Sequence, residues 1–194
     1  LVVLSDDSYE AYVYDADAAQ RSLFAELCDA HRLILPIKLD GCSKEMLFYG
    51  GRVGFITFGL PSKLDVDRAA LQSELDNKVS AVIRSTVSNC PLPVQSALLK
   101  ALKNVPALEA ERDRVATVLR RRALLLREEF AKLDLPQLKV LPFNAGFFCF
   151  ADLEGVSANA LADLLMTKYK TGVVPTEAAK INGIRIAFCS VPER

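Results

Sequence analysis

The chain has 194 residues, 51% of them hydrophobic, enough to bury one large core or two smaller ones, so it is not a disordered segment. Lysine plus arginine and aspartate plus glutamate balance at 24 each, which removes the positive field that nucleic acid or an acidic membrane would need. No apolar run approaches the roughly 20 residues that cross a bilayer, the opening residues lack a signal-peptide pattern, and one histidine, His31, leaves little for a metal centre or a serine-histidine triad.

Leu1 to Ser5 reads as a short strand of the buried type. It runs into Asp6-Asp7-Ser8-Tyr9, whose polar groups emerge at the carboxyl end of that strand, the edge where open parallel sheets bind ligands. A simple turn accounts for the same string. Leu23, Phe24 and Leu27 recur at helical spacing and predict a helix over Ala18 to Ala30, followed by a buried strand from Leu33 to Ile37. Lys44 then falls in a strand-end loop, and Arg52 opens a second apolar run, Val53 to Phe58, with Gly50, Gly51 and Gly54 around it.

A lysine amine attacks an aldehyde only when unprotonated, and a partly dry pocket with a neighbouring cation favours that form. Arg52 is a candidate for that cation, and its planar fork suits a phosphate dianion. Glycines let the backbone approach such a group closely. Taken alone, the pair reads equally as a solvated lysine and a surface arginine. Cys42, two residues before Lys44, is expected to fill core, with a pocket-lining role as the alternative. The five cysteines are scattered without a CxxC pair, which fits reduced thiols in a cytoplasmic protein.

Pro61 breaks the pattern, and a long amphipathic helix is expected from Val66 to Val87 with Asp65 as its candidate cap. Its face of Leu71, Leu75, Val79, Val82 and Ile83 is expected to be core. The prolines of Asn89 to Pro93 end it and start a short helix through Leu102. Leu108 to Leu133, without glycine or proline, predicts a helix of about seven turns. Acidic neighbours around Arg120-Arg121-Arg122 make that cluster a solvated face rather than a nucleic-acid patch. Strands at Leu138 to Leu141 and Gly146 to Phe150, a helix over Ser157 to Lys170 with Leu161, Leu164 and Leu165 inward, and strands at Gly172 to Val174 and Ile184 to Val191 complete a small α/β lobe. Arg185 interrupts the last strand, where a charge between apolar neighbours normally has a partner, although an outward-facing arginine fits the alternation as well.

Ser43-Lys44, then seven residues to Arg52 among glycines, resembles the lysine signature of the class I and II aminotransferases, which are fold-type I pyridoxal phosphate enzymes. Asp6 and Tyr9 match that family's Asp-x-x-Tyr element, and Arg185 matches its carboxylate-binding arginine. The resemblance implies that Lys44 carries pyridoxal 5'-phosphate as a Schiff base and serves as the catalytic base. It implies that Asp6 pairs with the pyridine nitrogen, Tyr9 with the ring's phenolic oxygen and Arg52 with the phosphate, and that Arg185 grips the substrate's α-carboxylate. Asn144 to Phe147 resembles the family's segment near the substrate entrance. Gly41 stands where many members have a phosphate-binding serine, and Ser43 is the candidate substitute.

The expected fold is α/β: the remainder of an aminotransferase-like large domain, a mostly parallel sheet with helices, over 1–107, plus a small α/β lobe led by a long linking helix over 108–194. The resemblance reaches only the C-terminal half of the family's usual length, and the chain opens directly on a strand, so a partial chain is expected. The expected function is amino-group transfer from an amino acid to a 2-oxo acid by a cytoplasmic homodimeric parent, without nucleic acid or membrane partners. The alternatives are a β-lyase or decarboxylase on the same cofactor, and a non-catalytic aminotransferase-like sensor domain.

Overall fold

In the computed structural model, residues 1–62 and 66–191 are described. They form two compact units, Leu1–Ala11 with Ala19–Asp113, and Tyr12–Ala18 with Arg114–Arg194. Among the described residues no helix is long and apolar enough to cross a membrane.

The first unit is built on a three-stranded sheet ordered β1 (Val2–Asp6), β2 (Leu35–Gly41), β3 (Gly54–Phe58). β1 pairs with β2 in parallel, Asp6 opposite Leu39, and β3 returns antiparallel, Gly54 opposite Gly41. As an edge strand β1 is less covered than its sequence suggests: Val2 and Leu4 are exposed, and Val3 and Ser5 half-buried. The helix expected over Ala18 to Ala30 shrinks to one turn, α1 (Phe24–Leu27). Ser22 explains the loss. Its backbone N–H donates to Glu10 Oε1 at 2.9 Å, its hydroxyl donates to Asp7 Oδ2, and the same hydroxyl oxygen accepts from Phe24 N at 3.0 Å. Such local side-chain bonds compete with helix extension.

Lys44 lies not in an open loop but in a helical turn, α2 (Cys42–Glu45), directly after β2. The long helix α3 (Arg68–Thr86) starts later than expected, with Asp67 as its cap: Oδ1 accepts from Ala69 N at 2.8 Å and Ala70 N at 3.2 Å. The expected cap, Asp65, lies outside the described residues. No α3 residue is fully buried; Leu71, Leu75 and Val79 are half-buried, and Val82 and Ile83 exposed, so this face is not core within the described chain. The short helix α4 (Leu92–Ala101) follows. α5 (Val105–Ala131) is the expected long helix, and the division between the units falls within it, after Asp113.

The second unit contains a sheet ordered β4 (Leu138–Val140), β5 (Phe148–Leu153), β7 (Ile181–Ala187), β6 (Val174–Ala178), antiparallel throughout, with α6 (Ala158–Tyr169) on one side. Ser157 caps α6 by accepting from Ala160 N. Ala151, Leu153, Ala158 and Ile184 form the core, and Leu161, Leu165, Val173 and Ile186 pack against it. Each buried leucine or isoleucine contributes about 1.5–3 kcal/mol. Leu164, expected inward, is 49% exposed. β6 and β7 meet in a tight turn after Ala178, so each is displaced toward the other relative to the expected strands.

Tyr12–Ala18 joins this unit through a bridge from Val13 to Ala145, with Tyr14 N donating to Asn144 O at 2.7 Å and Gly146 N to Tyr12 O at 3.0 Å. Tyr12 meets Phe147, and Tyr14 meets Phe188, edge to face. Asp15 receives Arg127 of α5 through two bonds of 2.7 and 3.1 Å, while the guanidinium lies 5.0 Å from the Phe143 ring. The Arg127 hydrogen bond holds the Asp15 carboxyl below its ordinary value, outweighing the opposing effect of burial, and the charges of Arg127 and Arg120 add to it. A depressed carboxylate contributes stability above its unfolded-state pKa and loses it as pH falls through the folded-state value. Arg127→Met is therefore expected to be less stable than wild type at neutral pH, with the two urea midpoints converging as the solution is acidified through the carboxylate range. A gap that persisted at low pH would assign the loss to packing alone.

Candidate active site

Sheet topology brings three of the expected residues to one edge. Because β1 and β2 are parallel, their carboxyl ends, Asp6 and Gly41, emerge together, and antiparallel β3 begins at that edge with Gly54. Asp6, Lys44 just beyond β2, and Arg52 just before β3 therefore leave the sheet on the same side. Tyr9 is half-buried in the turn that follows β1.

Asp6 is exposed, and its Oδ1 accepts from both the backbone N–H, at 3.2 Å, and the hydroxyl of Ser8. Lys44 is half-buried on a turn pinned at each end: Cys42 N donates to Val53 O, Phe48 N to Cys42 O and Leu47 N to Lys44 O, each at 3.0 Å. Burial, then the charge of Glu45, pushes the Cys42 thiol up, which suits packing rather than reactivity. Gly51 is buried, and a Cβ there would lie 2.5 Å from the Phe48 ring.

Arg52 has φ 53°, the left-handed conformation that disfavours residues with a side chain by roughly 1–2 kcal/mol. Its Nη1 donates to Tyr49 O at 3.0 Å and to Ser43 Oγ at 3.3 Å, while Cys90 Sγ donates to Arg52 O at 3.2 Å. A serine hydroxyl and a guanidinium thus meet directly beside Lys44, a donor pair suited to an oxyanion.

A charged network behind this edge has no counterpart among the expected site residues. Lys38 of β2 points its ammonium at Glu10 (2.7 Å), Asp40 (3.3 Å) and Asp7 (3.8 Å). Burial opposes that charge, but Glu10 and Asp40 outweigh it and the Lys38 pKa is raised. Glu45 is pushed up as well, by burial first and then by Asp40 and Glu10. The signal present in the sequence is a lysine inside the apolar run Leu35 to Leu39, a charge that needs a partner just as Arg185 does.

Arg185 belongs to the second unit, whereas Asp6, Tyr9, Lys44 and Arg52 belong to the first. It is exposed on β7, on the face opposite buried Ile184, and its guanidinium stands 4.8 Å from the Phe148 ring. A cation over an aromatic face is partly satisfied yet still able to bind an anion.

The family model described as aminotransferase class I and II matches residues 1–194. No curated protein matches the chain. Among solved structures, an aspartate aminotransferase from Thermotoga maritima is 21% identical with a TM-score of 0.68, covering 98% of this chain and 44% of its own. An aspartate aminotransferase tetra mutant from Thermus thermophilus is 22% identical with a TM-score of 0.75, covering 98% and 47%. An α-aminoadipate aminotransferase, also from Thermus thermophilus and solved with N-(5'-phosphopyridoxyl)-L-leucine, is 22% identical with a TM-score of 0.72, covering 97% and 45%. The chain thus spans less than half the length of these structures, and they share its α/β fold.

Proposed function

The chain belongs to the class I and II aminotransferase family, and from that membership and the geometry of the sheet edge we propose that its full-length parent transfers an amino group from an amino acid to a 2-oxo acid. One observation carries this reading: Ser43 and Arg52 converge 3.3 Å apart beside Lys44, on the edge where Asp6 emerges. The residues present fit pyridoxal 5'-phosphate. Arg52 and Ser43 would hold its phosphate, Ser43 taking the place of the serine absent at Gly41. Asp6, whose Ser8 bonds both fall on Oδ1, would accept from the ring nitrogen through Oδ2. Tyr9 would donate to the phenolic oxygen. Arginine at a left-handed position that glycine would occupy at less cost supports a requirement for its side chain.

When bound, the cofactor supplies an electron-withdrawing ring that accepts the electron pair of the substrate's Cα–H bond. The chain's own contribution is positioning and proton handling. Lys44 Nζ would accept the Cα proton as general base. Arg185 grips the α-carboxylate through its fork, with Phe148 orienting the guanidinium. Asp6, by accepting from the ring nitrogen, would favour the protonated form of that nitrogen. Residues 1–107 are read as the C-terminal part of the large cofactor-binding domain, and residues 108–194 as the small domain. The parent is read as a cytoplasmic homodimer.

The test is to incubate the full-length protein with pyridoxal phosphate, reduce with borohydride, map the labelled lysine, and assay transfer from an amino acid to a 2-oxo acid. Label on Lys44 together with transfer is expected. Label on another lysine would remove the site. Label on Lys44 with loss of carbon dioxide or a side-chain fragment, and no transfer, would replace the reaction by a decarboxylase or β-lyase.

A further inference from the structure

Lys38 lies on the central strand of the first sheet, between Ser5 of β1 and Thr57 of β3. Its side chain is 20% exposed, and the three carboxylates it faces lie in two chain segments. Asp7 and Glu10 come from the turn after β1, and Asp40 from the end of β2 itself. Each adjoins part of the site: Asp7 follows Asp6, Glu10 follows Tyr9, and Asp40 precedes the Gly41–Lys44 turn.

Beside this cluster the backbone link between the two segments is Asp7 N donating to Leu39 O at 3.0 Å, beyond which Glu10 N returns to Asp7 O at 3.0 Å within the turn. Ser5 and Ser22 donate to the two oxygens of Asp7, and Ser22 N donates to Glu10 Oε1. One carboxylate oxygen from each of Asp7, Glu10 and Asp40 lies within 4.8 Å of the other two. At such separations like charges repel strongly in a partly desolvated site, and the Lys38 ammonium is the cation that opposes this repulsion.

We infer that Lys38 is a positioning residue: by bridging Asp7 and Glu10 to Asp40 it sets the spacing between the Asp6–Tyr9 turn and the Lys44 turn, and so the fit of the edge around the pyridoxal ring. This inference rests on the aminotransferase reading for its consequence, though not for the clamp itself. Its role is to act through the two segments it joins, Asp7 and Glu10 on one side and Asp40 on the other. Displacement of a binding group by about 1 Å is enough to cost on the order of 100-fold in a preorganised site.

The test compares Lys38→Met, which keeps the length of the side chain and removes its charge, with Lys38→Arg, which keeps charge and donors. Amide hydrogen exchange over residues 6–10 and 40–45 is measured on the full-length protein without cofactor, and the dissociation constant for pyridoxal phosphate is measured separately. Lys38→Met is expected to exchange faster in both segments, by about 10-fold or more, and to bind the cofactor about 10-fold or more weakly. Lys38→Arg should recover most of both. Unchanged exchange in Lys38→Met overturns the inference, as does faster exchange with unaltered affinity, or equal impairment of the Met and Arg variants. Should Lys38→Met not fold, Glu10→Gln removes the shortest of the three ion pairs and is read in the same way. A wild-type protein that fails to bind pyridoxal phosphate sinks the proposed function instead, while exchange still decides whether Lys38 holds the segments together.

Discussion

If the proposed function holds, Lys44→Ala in the full-length protein is expected to lower amino-group transfer by about 10⁴-fold or more, since it would remove both the amine that holds the cofactor and a general base whose removal alone costs about 10²–10⁴-fold. The fold should survive. Lys44 is a half-buried residue of one helical turn, and the bonds that pin this turn are made by backbone atoms that alanine retains. Binding of the phosphate-bearing cofactor should weaken rather than vanish, because Ser43 and Arg52 remain, but borohydride should no longer fix it to the protein. Lys44→Arg should be as inactive as Lys44→Ala, since a guanidinium keeps its proton at any working pH. Activity within about 10-fold of wild type in either variant would mean that the chemistry lies elsewhere.

Gly183→Ala is expected to destabilise the second unit. Its Cβ would stand 2.4 Å from Ala151 O and 2.6 Å from the Phe150 ring. Gly183 is paired with Asp152 in the β5–β7 ladder, so the carbonyl cannot retreat without breaking the register that also sets Arg185 opposite Phe150. Overpacking of this kind costs about 1–3 kcal/mol, which should appear as a lower urea midpoint with an unchanged slope. Gly50→Ala, where a new Cβ would meet nothing within 4 Å, is the control and should unfold as wild type does. Equal midpoints for the two variants would contradict the β5–β7 pairing.

The strands that flank the lysine stretch were legible because their information is local, although the loop expected at Lys44 is a helical turn. Ser43, Lys44, the glycines and Arg52 lie within one short stretch, and the apolar runs on either side predict the strands that bring its two ends to one edge. The same holds for α5, where the run from Leu108 onward, free of glycine and proline, predicts helix from propensity alone.

The failures share a physical cause, partners distant in sequence. Lys38 reaches Glu10 across 28 residues, and nothing in the apolar run around it names that partner. Tyr12–Ala18 pairs with residues near Asn144, so the helix predicted to begin at Ala18 loses its first turn, and Ser22 ties the next residues to the strand-end turn. The spacing of the α3 stripe predicts core, yet Val82 and Ile83 stay exposed, because periodicity tells which residues share a face and not what covers it.

Composition and motif spacing therefore determined the α/β class, the family resemblance and the pairing of Lys44 with Arg52 in one stretch, since those depend on neighbours along the chain. Where Arg185 faces, how Arg52 is held in a left-handed turn against Ser43, and which carboxylates surround Lys38 depended on strand pairing. Pairing is decided by the burial of whole faces rather than by any short stretch, so it becomes visible only once the chain is folded.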